Sequence, residues 1–205
     1  MNDSTVTATY FANPGQDNTE RVLQIARARA EQLGVRSIVV ATTRGDTGVR
    51  AAEVFEGYNT VLVTHSTGFK EANYQELTEE NRAAIEANGG RILTCQHAFG
   101  GVGRAVRRKL QTYELEEIIA FTLRIFGEGM KVVCEITLMA ADAGLIQVGE
   151  PAITIAGTGR GADTSVVIQP ANAQSFFDLR VMEVLCKPRV PPVRGIVQPT
   201  AQSRN

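Results

Sequence analysis

The sequence predicts an α/β protein built on a mostly parallel sheet, and three observations support this. Short β-branched runs alternate with amphipathic segments of helical length along the first half of the chain. The links between them are short and rich in glycine, which fits the right-handed crossovers of a parallel sheet. Two later β-branched runs, at 152–156 and 164–169, lie only a few residues apart, which predicts a hairpin whose second strand is antiparallel.

The first helix and the first buried strand are clearly marked. A turn at 13–15 precedes apolar residues at helical spacing over 22–33, and Gly34 provides a stop. Ser37–Ala41 is a short β-branched run, which is typical of a strand buried on both faces. A second helix is predicted after the loop that follows this strand, and it ends at Gly57.

The alternation then continues through two more strands. Residues 60–64 and 91–95 predict strands, and the segment 77–88 between them predicts a helix with an acidic first turn. Helical stretches follow over 114–126 and 131–145. In the first of these stretches the helical period places five residues on one face, namely Leu115, Ile118, Ile119, Thr122 and Ile125.

The end of the chain differs in composition from the rest. From Lys187 onward it carries four of the seven prolines, which predicts a surface or disordered tail over 187–205 after a single domain at 1–186. Between the last strand and this tail, residues 176–185 favour a helix over a strand.

Composition excludes several functional classes. The chain has 205 residues, 43% of them hydrophobic, enough for one domain that is stable without disulfides. Its 21 basic and 22 acidic residues give a net charge of −1, so a nucleic-acid partner is not expected. Three cysteines without CxxC spacing, no secretory signal and no membrane-length apolar run favour a cytoplasmic protein without a membrane partner.

Four loops that follow predicted strands are rich in polar residues and glycine. They span residues 42–48, 65–70, 96–103 and 157–163. Ligands of open parallel sheets bind beyond the carboxyl ends of the strands. We therefore expect a binding site where these loops meet.

The loop at 42–48 (TTRGDTG) is the strongest anion site in the sequence. Its hydroxyls, its glycine-freed amides and the start of the next helix supply donors for a phosphate. The expected contacts are Thr42, Thr43, Arg44, Gly45, Asp46, Thr47 and Gly48. Simple capping of the helix by Asp46 or Thr47 is the alternative, and the GxxxxGK[ST] pattern of a Walker A loop is absent.

The loop at 157–163 is the second anion site. Its glycines allow a ligand close to the backbone, Arg160 offers a partner for an anion or a ring, and Asp163 offers an acceptor for a ribose-like hydroxyl. The expected contacts are Gly157, Thr158, Gly159, Arg160, Gly161 and Asp163, joined from the loop at 65–70 by His65, Thr67, Gly68 and Phe69. A wide hairpin turn that needs positive φ is the alternative.

Several other residues allow more than one interpretation. His65 and His97 each follow a predicted strand, where they can contact a ligand, but the spacing of their neighbours does not predict a metal site. Cys95 is interpreted as a buried, inert thiol. Glu135 and Asp142 share a helix face. They are interpreted as a buried polar pair, as surface charges or as part of the site.

The segment 100–106 (GGVGRAV) only partly matches a dinucleotide-binding fingerprint, so it gives weak support for NAD. The basic cluster that follows is interpreted as a solvated or subunit-contact face; it comprises Arg104, Arg107, Arg108 and Lys109.

Several motifs resemble a known family. The stretch 37–68 resembles the C-terminal α/β domain of pyruvate kinase, in which the first loop binds a sugar phosphate. ITLMAADAGLI at 136–146, GTGRGADT at 157–164 and KPR at 187–189 resemble a family of stand-alone proteins related to that domain. This resemblance implies a three-layer α/β/α sandwich with a mostly parallel mixed sheet, without the barrel that carries the kinase active site.

The resemblance also implies flavin mononucleotide (FMN) as a bound cofactor. The expected function is therefore binding of a phosphorylated, nucleotide-like small molecule, FMN first, by a homo-oligomer, with the phosphate on the loop at 42–48. A flavin-dependent oxidoreductase is one activity that such a cofactor permits. The alternative is a regulatory or sensor domain that binds a sugar phosphate, and the sequence singles out no catalytic residue.

Overall fold

One seven-stranded sheet organises the computed structural model, which describes residue 3 and residues 5–189. The strands are β1 (Thr9–Phe11), β2 (Ser37–Ala41), β3 (Asn59–Val63), β4 (Arg91–Leu93), β5 (Ala152–Ala156), β6 (Thr164–Gln169) and β7 (Arg180–Pro188). Their order in the sheet is β1-β7-β6-β5-β2-β3-β4. Neighbouring strands are parallel except for β6, which is antiparallel to both β5 and β7. The prediction of a mostly parallel mixed sheet with a β5–β6 hairpin is confirmed.

Helices cover both faces of this sheet. They are α1 (Thr19–Leu33), α2 (Asp46–Val54), α3 (Glu79–Ala87), α4 (Val102–Leu110), α5 (Leu115–Arg124) and α6 (Glu128–Asp142). On one face, α1, α2 and α3 bury Leu23, Ala51 and Ile85 against the strands. On the other face, α5 and α6 bury Ala120 and Leu138. The expected three-layer sandwich is therefore confirmed. None of the helices in the described residues is long and apolar enough to span a bilayer.

Helix α6 is the most deeply buried element, and all but three of its fifteen residues are inaccessible to solvent. Gly129 allows this close packing, because a Cβ at that position would lie 2.2 Å from the hydroxyl oxygen of Thr164. The polar residues of the helix are paired inside the core. The hydroxyls of Thr137 and Thr154 lie 2.8 Å apart, which joins α6 to the middle of β5.

The structure differs from the sequence prediction at both ends of the described chain. The expected helix at 176–185 is wrong, since a 3₁₀ turn over Ala173–Asp178 leads into β7. Strand β1 has no counterpart in the prediction. Pairing with β6 and β1 determines the conformation of β7, and such long-range contacts are not encoded in local periodicity. Strand β7 continues through Pro188, and residues 190–205 of the predicted tail lie outside the described residues.

Two glycines of the β5–β6 hairpin provide a test of this packing. Gly161 has a φ of +70°, and a Cβ there would lie 2.4 Å from Cα of Gln16. Gly159 has a φ of +88° but open space around it. We expect Gly161→Ala to lower the free energy of unfolding by about 3 kcal/mol, because it adds a backbone clash to the strain. Gly159→Ala should cost about 1 kcal/mol.

Urea denaturation of the two variants measures both costs. Equal costs would contradict the tight packing of the hairpin against the N-terminal turn at Gln16–Asn18.

Candidate functional site

The connections that follow two neighbouring parallel strands lead to opposite faces of the sheet, and this determines where a ligand can bind. Strands β2, β3, β4 and β5 are parallel, so the four polar loops follow them at one edge of the sheet, as predicted. The loop after β3 leads to α3 on one face, whereas the loop after β4 leads to α4, α5 and α6 toward the other. Adjacent strands with connections to opposite faces form a crevice between them, and ligands of open sheets bind there.

An open cleft of about 630 Å³ lies at this crevice between β3 and β4. Its volume falls within the range typical of small-molecule sites. Residues 66–69 form one wall, residues 94–96 form the floor, and the start of α4 forms the opposite wall. Three of the predicted contacts line this cleft, namely Thr67, Gly68 and Phe69.

Phe69 lines the cleft and packs against two histidine rings beside it. Its ring stacks on His65, with the centroids 4.1 Å apart and the planes at 28°, and it lies 5.2 Å from the ring of His97. The guanidinium of Arg104 lies 4.9 Å from the centroid of the same ring. Nδ1 of His65 is 2.7 Å from a carboxylate oxygen of Glu76, which fixes the imidazole. The cleft therefore has one aromatic wall that is held in place.

Arg104 brings positive charge into the cleft without an acidic partner among the described residues. Burial lowers the pKa of its guanidinium, and the positive charge of Arg108 adds to this effect. Gly100 makes room for the side chain, since a Cβ there would lie 2.8 Å from its Nη2. Helix α4 begins directly after Gly101, a residue that cannot cap the first amides with a side chain. Together these groups attract an anion to this wall.

A buried group of charged residues lies behind Phe69. Glu135 forms an ion pair with Lys131 one helical turn earlier, and both side chains are almost fully buried. The other carboxylate oxygen of Glu135 accepts a hydrogen bond from the N–H of Phe99 at 3.0 Å. Nδ1 of His97 lies 3.9 Å from the same carboxylate. This group anchors the loop after β4 to α6.

His97 is neutral at physiological pH. Burial lowers the pKa of its imidazole to about 4, although the nearby carboxylate of Glu135 acts in the opposite direction. Nε2 of this ring is buried and has no hydrogen-bond partner in the described part of the chain. Nε2 can therefore form one hydrogen bond with a ligand that reaches it by displacing the neighbouring side chains.

Part of this buried group was detectable in the sequence. Glu135 and Lys131 have the i, i+4 spacing of a helical ion pair, which is the signal that identifies the partner of Glu135. Asp142 does not belong to the group, because its carboxylate accepts hydrogen bonds from Asn172 and from the N–H of Ala173. Cys95 lines the cleft and is only partly buried, so the interpretation as a buried thiol is wrong. Burial still raises the pKa of the thiol, which disfavours the reactive thiolate.

The loop at 42–48 lies outside this cleft and packs against its own chain. The hydroxyl of Thr42 accepts a hydrogen bond from the N–H of Gly48 at 3.2 Å. The carbonyl of Arg44 accepts from the N–H of Thr78 and from the amide of Asn81. A Cβ at Gly45 would lie 2.3 Å from Cβ of Asn81, so α3 covers the turn, while the side chains of Arg44 and Asp46 remain exposed. Phosphate binding by this loop stays a prediction.

The loop at 157–163 also has structural partners. The buried carboxylate of Asp163 accepts hydrogen bonds from the N–H groups of Gly15 and Thr158 and from the hydroxyl of Thr164, at 2.8–3.0 Å. It thereby ties the β5–β6 hairpin to the start of the chain. Gly159 and Gly161 have positive φ, as the hairpin alternative requires, and Arg160 is exposed. Ligand binding by these residues stays a prediction.

The fold defines an α/β sandwich domain with an open cleft where the connections change face. Residues 20–168 match the family described as the alpha/beta domain of pyruvate kinase. Since this match covers most of the chain, the protein belongs to that family. The resemblance stated from the sequence motifs is confirmed.

Solved structures similar to the chain include three of pyruvate kinase from Cryptosporidium parvum, one of them in complex with ADP. The sequence identities are 13%, 13% and 12%, and the TM-scores are 0.38, 0.39 and 0.37. Each alignment covers 75% of this chain but only 22–24% of the kinase. The chain thus spans about a quarter of the length of the kinases it matches.

The lowered pKa of His97 predicts a pH dependence of stability. An unfolded chain protonates this histidine near its ordinary pKa of 6.5, whereas the folded chain does so only at about 4. Between these values the unfolded state binds more protons, so stability rises with pH and is lost as the pH falls from 6.5 to 4. The loss attributable to His97 is up to about 3 kcal/mol.

An NMR titration of the histidine ring protons measures this pKa directly. The chain has two histidines, so the His65→Gln variant assigns the remaining signal to His97. A midpoint near 6.5 would contradict the burial of this ring. In His97→Asn, the loss of stability between pH 6.5 and 4 should be smaller than in the unmodified protein.

Proposed function

We propose that the protein binds a phosphorylated small molecule with a planar ring in the cleft between β3 and β4, with FMN as the first candidate ligand. One observation carries this proposal: Phe69 and Arg104, which has no acidic partner among the described residues, face the same cleft, whose volume suits a small molecule. The family resemblance of the sequence motifs singles out FMN among such compounds. Membership of the pyruvate kinase α/β-domain family does not depend on that choice.

Each part of such a ligand has a matching group in the cleft. Arg104, Arg108 and the first amides of α4 suit a phosphate, because they combine positive charge with hydrogen-bond donors. Phe69 lines the cleft, and a planar heterocycle would stack on its ring in place of the guanidinium of Arg104. Gln96 lines the same cleft, and its side-chain amide can bind polar ring atoms.

The residues of the cleft therefore fit a flavin nucleotide. Bound FMN would supply electron and hydride transfer, while the protein would orient the ring and set its electrostatic surroundings. His97 is neutral, with a buried Nε2 that lacks a partner among the described residues. It can hold one hydrogen bond at a fixed position behind the aromatic wall.

This proposal moves the phosphate from the predicted loop at 42–48 to the start of α4. The earlier loop uses the hydroxyl of Thr42 and the turn at Gly45 for internal packing. Arg104, in contrast, combines partial burial with the absence of an acidic partner in the described residues. A charge that is held without a partner in a cleft favours an anionic ligand.

Calorimetric titration with FMN tests the position of the phosphate. We expect Arg104→Ala to weaken FMN binding at least about tenfold, because a charge-assisted hydrogen bond is lost. Arg44→Ala and Arg160→Ala are matched controls with exposed arginines on the two other loops, and they should leave the affinity unchanged. If Arg104→Ala binds FMN normally and one control does not, the proposed position is wrong. The phosphate then binds at the loop at 42–48 for Arg44→Ala, or at the loop at 157–163 for Arg160→Ala.

A comparison of ligands separates the flavin from the sugar phosphate of the alternative hypothesis. Phe69→Ala should weaken the binding of FMN and of riboflavin alike, since both ligands carry the ring that stacks. It should leave binding of a sugar bisphosphate such as fructose 1,6-bisphosphate almost unchanged. If the protein binds the sugar bisphosphate through Arg104 but ignores FMN, the flavin proposal is wrong and the sensor alternative is favoured.

A further inference from the structure

Helix α5 exposes an apolar face that ordinary domain packing would bury. The exposed fractions are 68% for Leu115, 53% for Ile118, 54% for Phe121 and 73% for Ile125. Spacings of three and four residues place these side chains in one stripe along the helix. The opposite side of α5 packs against the domain through Ala120, which is 2% exposed. The helix is therefore apolar on two sides, and the structure covers only one of them.

The exposed stripe continues onto neighbouring residues. The rings of Tyr113 and Phe121 are in edge-to-face contact, with centroids 5.8 Å apart. Leu110, Tyr113 and Phe126 are each more than half exposed. With the four residues of α5 they form a patch on the order of 700 Å². We call these seven residues the α5 face. A patch of this size exceeds that of a typical monomer and approaches the area that each partner buries in a stable dimer.

We propose that the α5 face binds a second copy of this chain through antiparallel packing of the two α5 helices. A two-fold axis at the level of residue 120 places Leu115 of one copy opposite Ile125 of the other. It also places Ile118 close to the two-fold axis, beside Thr122 of the second copy. The same residues thus meet their partners twice, which is the requirement for a closed, symmetric interface.

The charges around the α5 face favour this arrangement. Glu114 and Glu116 lie at the start of α5, and Arg124, which also pairs with Glu128 of its own chain, lies at its end. In the antiparallel pair, the acidic end of one helix therefore meets the basic end of the other.

Sedimentation velocity of the 205-residue chain tests whether this dimer exists. We expect a dimer, and we expect Ile118→Glu and Ile125→Glu each to raise its dissociation constant at least about thirtyfold. Both positions are more than half exposed, so circular dichroism and the melting temperature should show an intact fold. Val148→Glu is the matched control, because Val148 is 51% exposed and lies outside the α5 face.

A charge exchange tests the antiparallel register. Leu115→Glu and Ile125→Lys should each weaken the dimer when present alone. The double variant should restore it, because two ion pairs then form across the axis, whereas within one chain the two positions are ten residues apart. A double variant that stays monomeric would overturn the register.

Two other results would overturn the proposal that the α5 face binds a second copy. These are an unmodified protein that stays monomeric at high micromolar concentration and a dimer that Ile118→Glu and Ile125→Glu leave unchanged. Binding of monomeric protein to phosphatidylglycerol vesicles through the same residues would replace the second copy with a membrane surface.

Discussion

A lysine and a glutamate one helical turn apart must remain paired in the interior of this protein, because removal of either leaves an isolated charge in the core. The pair, Lys131 and Glu135, lies on the most buried helix, α6. Burial lowers the pKa of Lys131, and the carboxylate of Glu135 opposes that shift. Since Glu135 also binds the N–H of Phe99 and lies beside His97, the pair holds the loop after β4. That loop leads into α4 and so determines one wall of the cleft. The packing of the central helix and the shape of the cleft thus depend on the same two charges.

Glycine serves two different purposes at the carboxyl edge of the sheet. At Gly45 and Gly161 the absence of a side chain lets another segment of the same chain approach, and the loop becomes part of the packed structure. At Gly100 it lets the side chain of Arg104 fold back over the loop, and a charged group comes to face the cleft. Both uses give the same local sequence signal. A glycine-rich loop at the edge of a sheet therefore does not identify a ligand site until its neighbours are known.

Local periodicity was sufficient to predict β2, β3, the β5–β6 hairpin and the edge at which the loops meet. It could not reveal β1 and β7, since their conformation depends on pairing between the two ends of the described chain. For α5 the helical period identified the apolar stripe but not whether another element covers it. In the site, Phe69 was among the expected contacts and lines the cleft. Arg104 was grouped with three other basic residues of a surface helix, because the sequence does not show which one turns inward.

The outer side of β7 bears on how copies of this protein can associate. Strand β1 pairs only with its last three residues, from Cys186 to Pro188. Among the described residues, the preceding stretch, which begins at Arg180, is exposed along that side and is irregular in its register with β6. Within that stretch, the carboxylate of Glu183 forms an ion pair with the guanidinium of Arg29, at 2.6 Å. Charged, irregular edges resist the addition of a strand from another molecule. This side of the sheet thereby resists strand addition by a second molecule, and the proposed contact between copies lies instead on the helical layer.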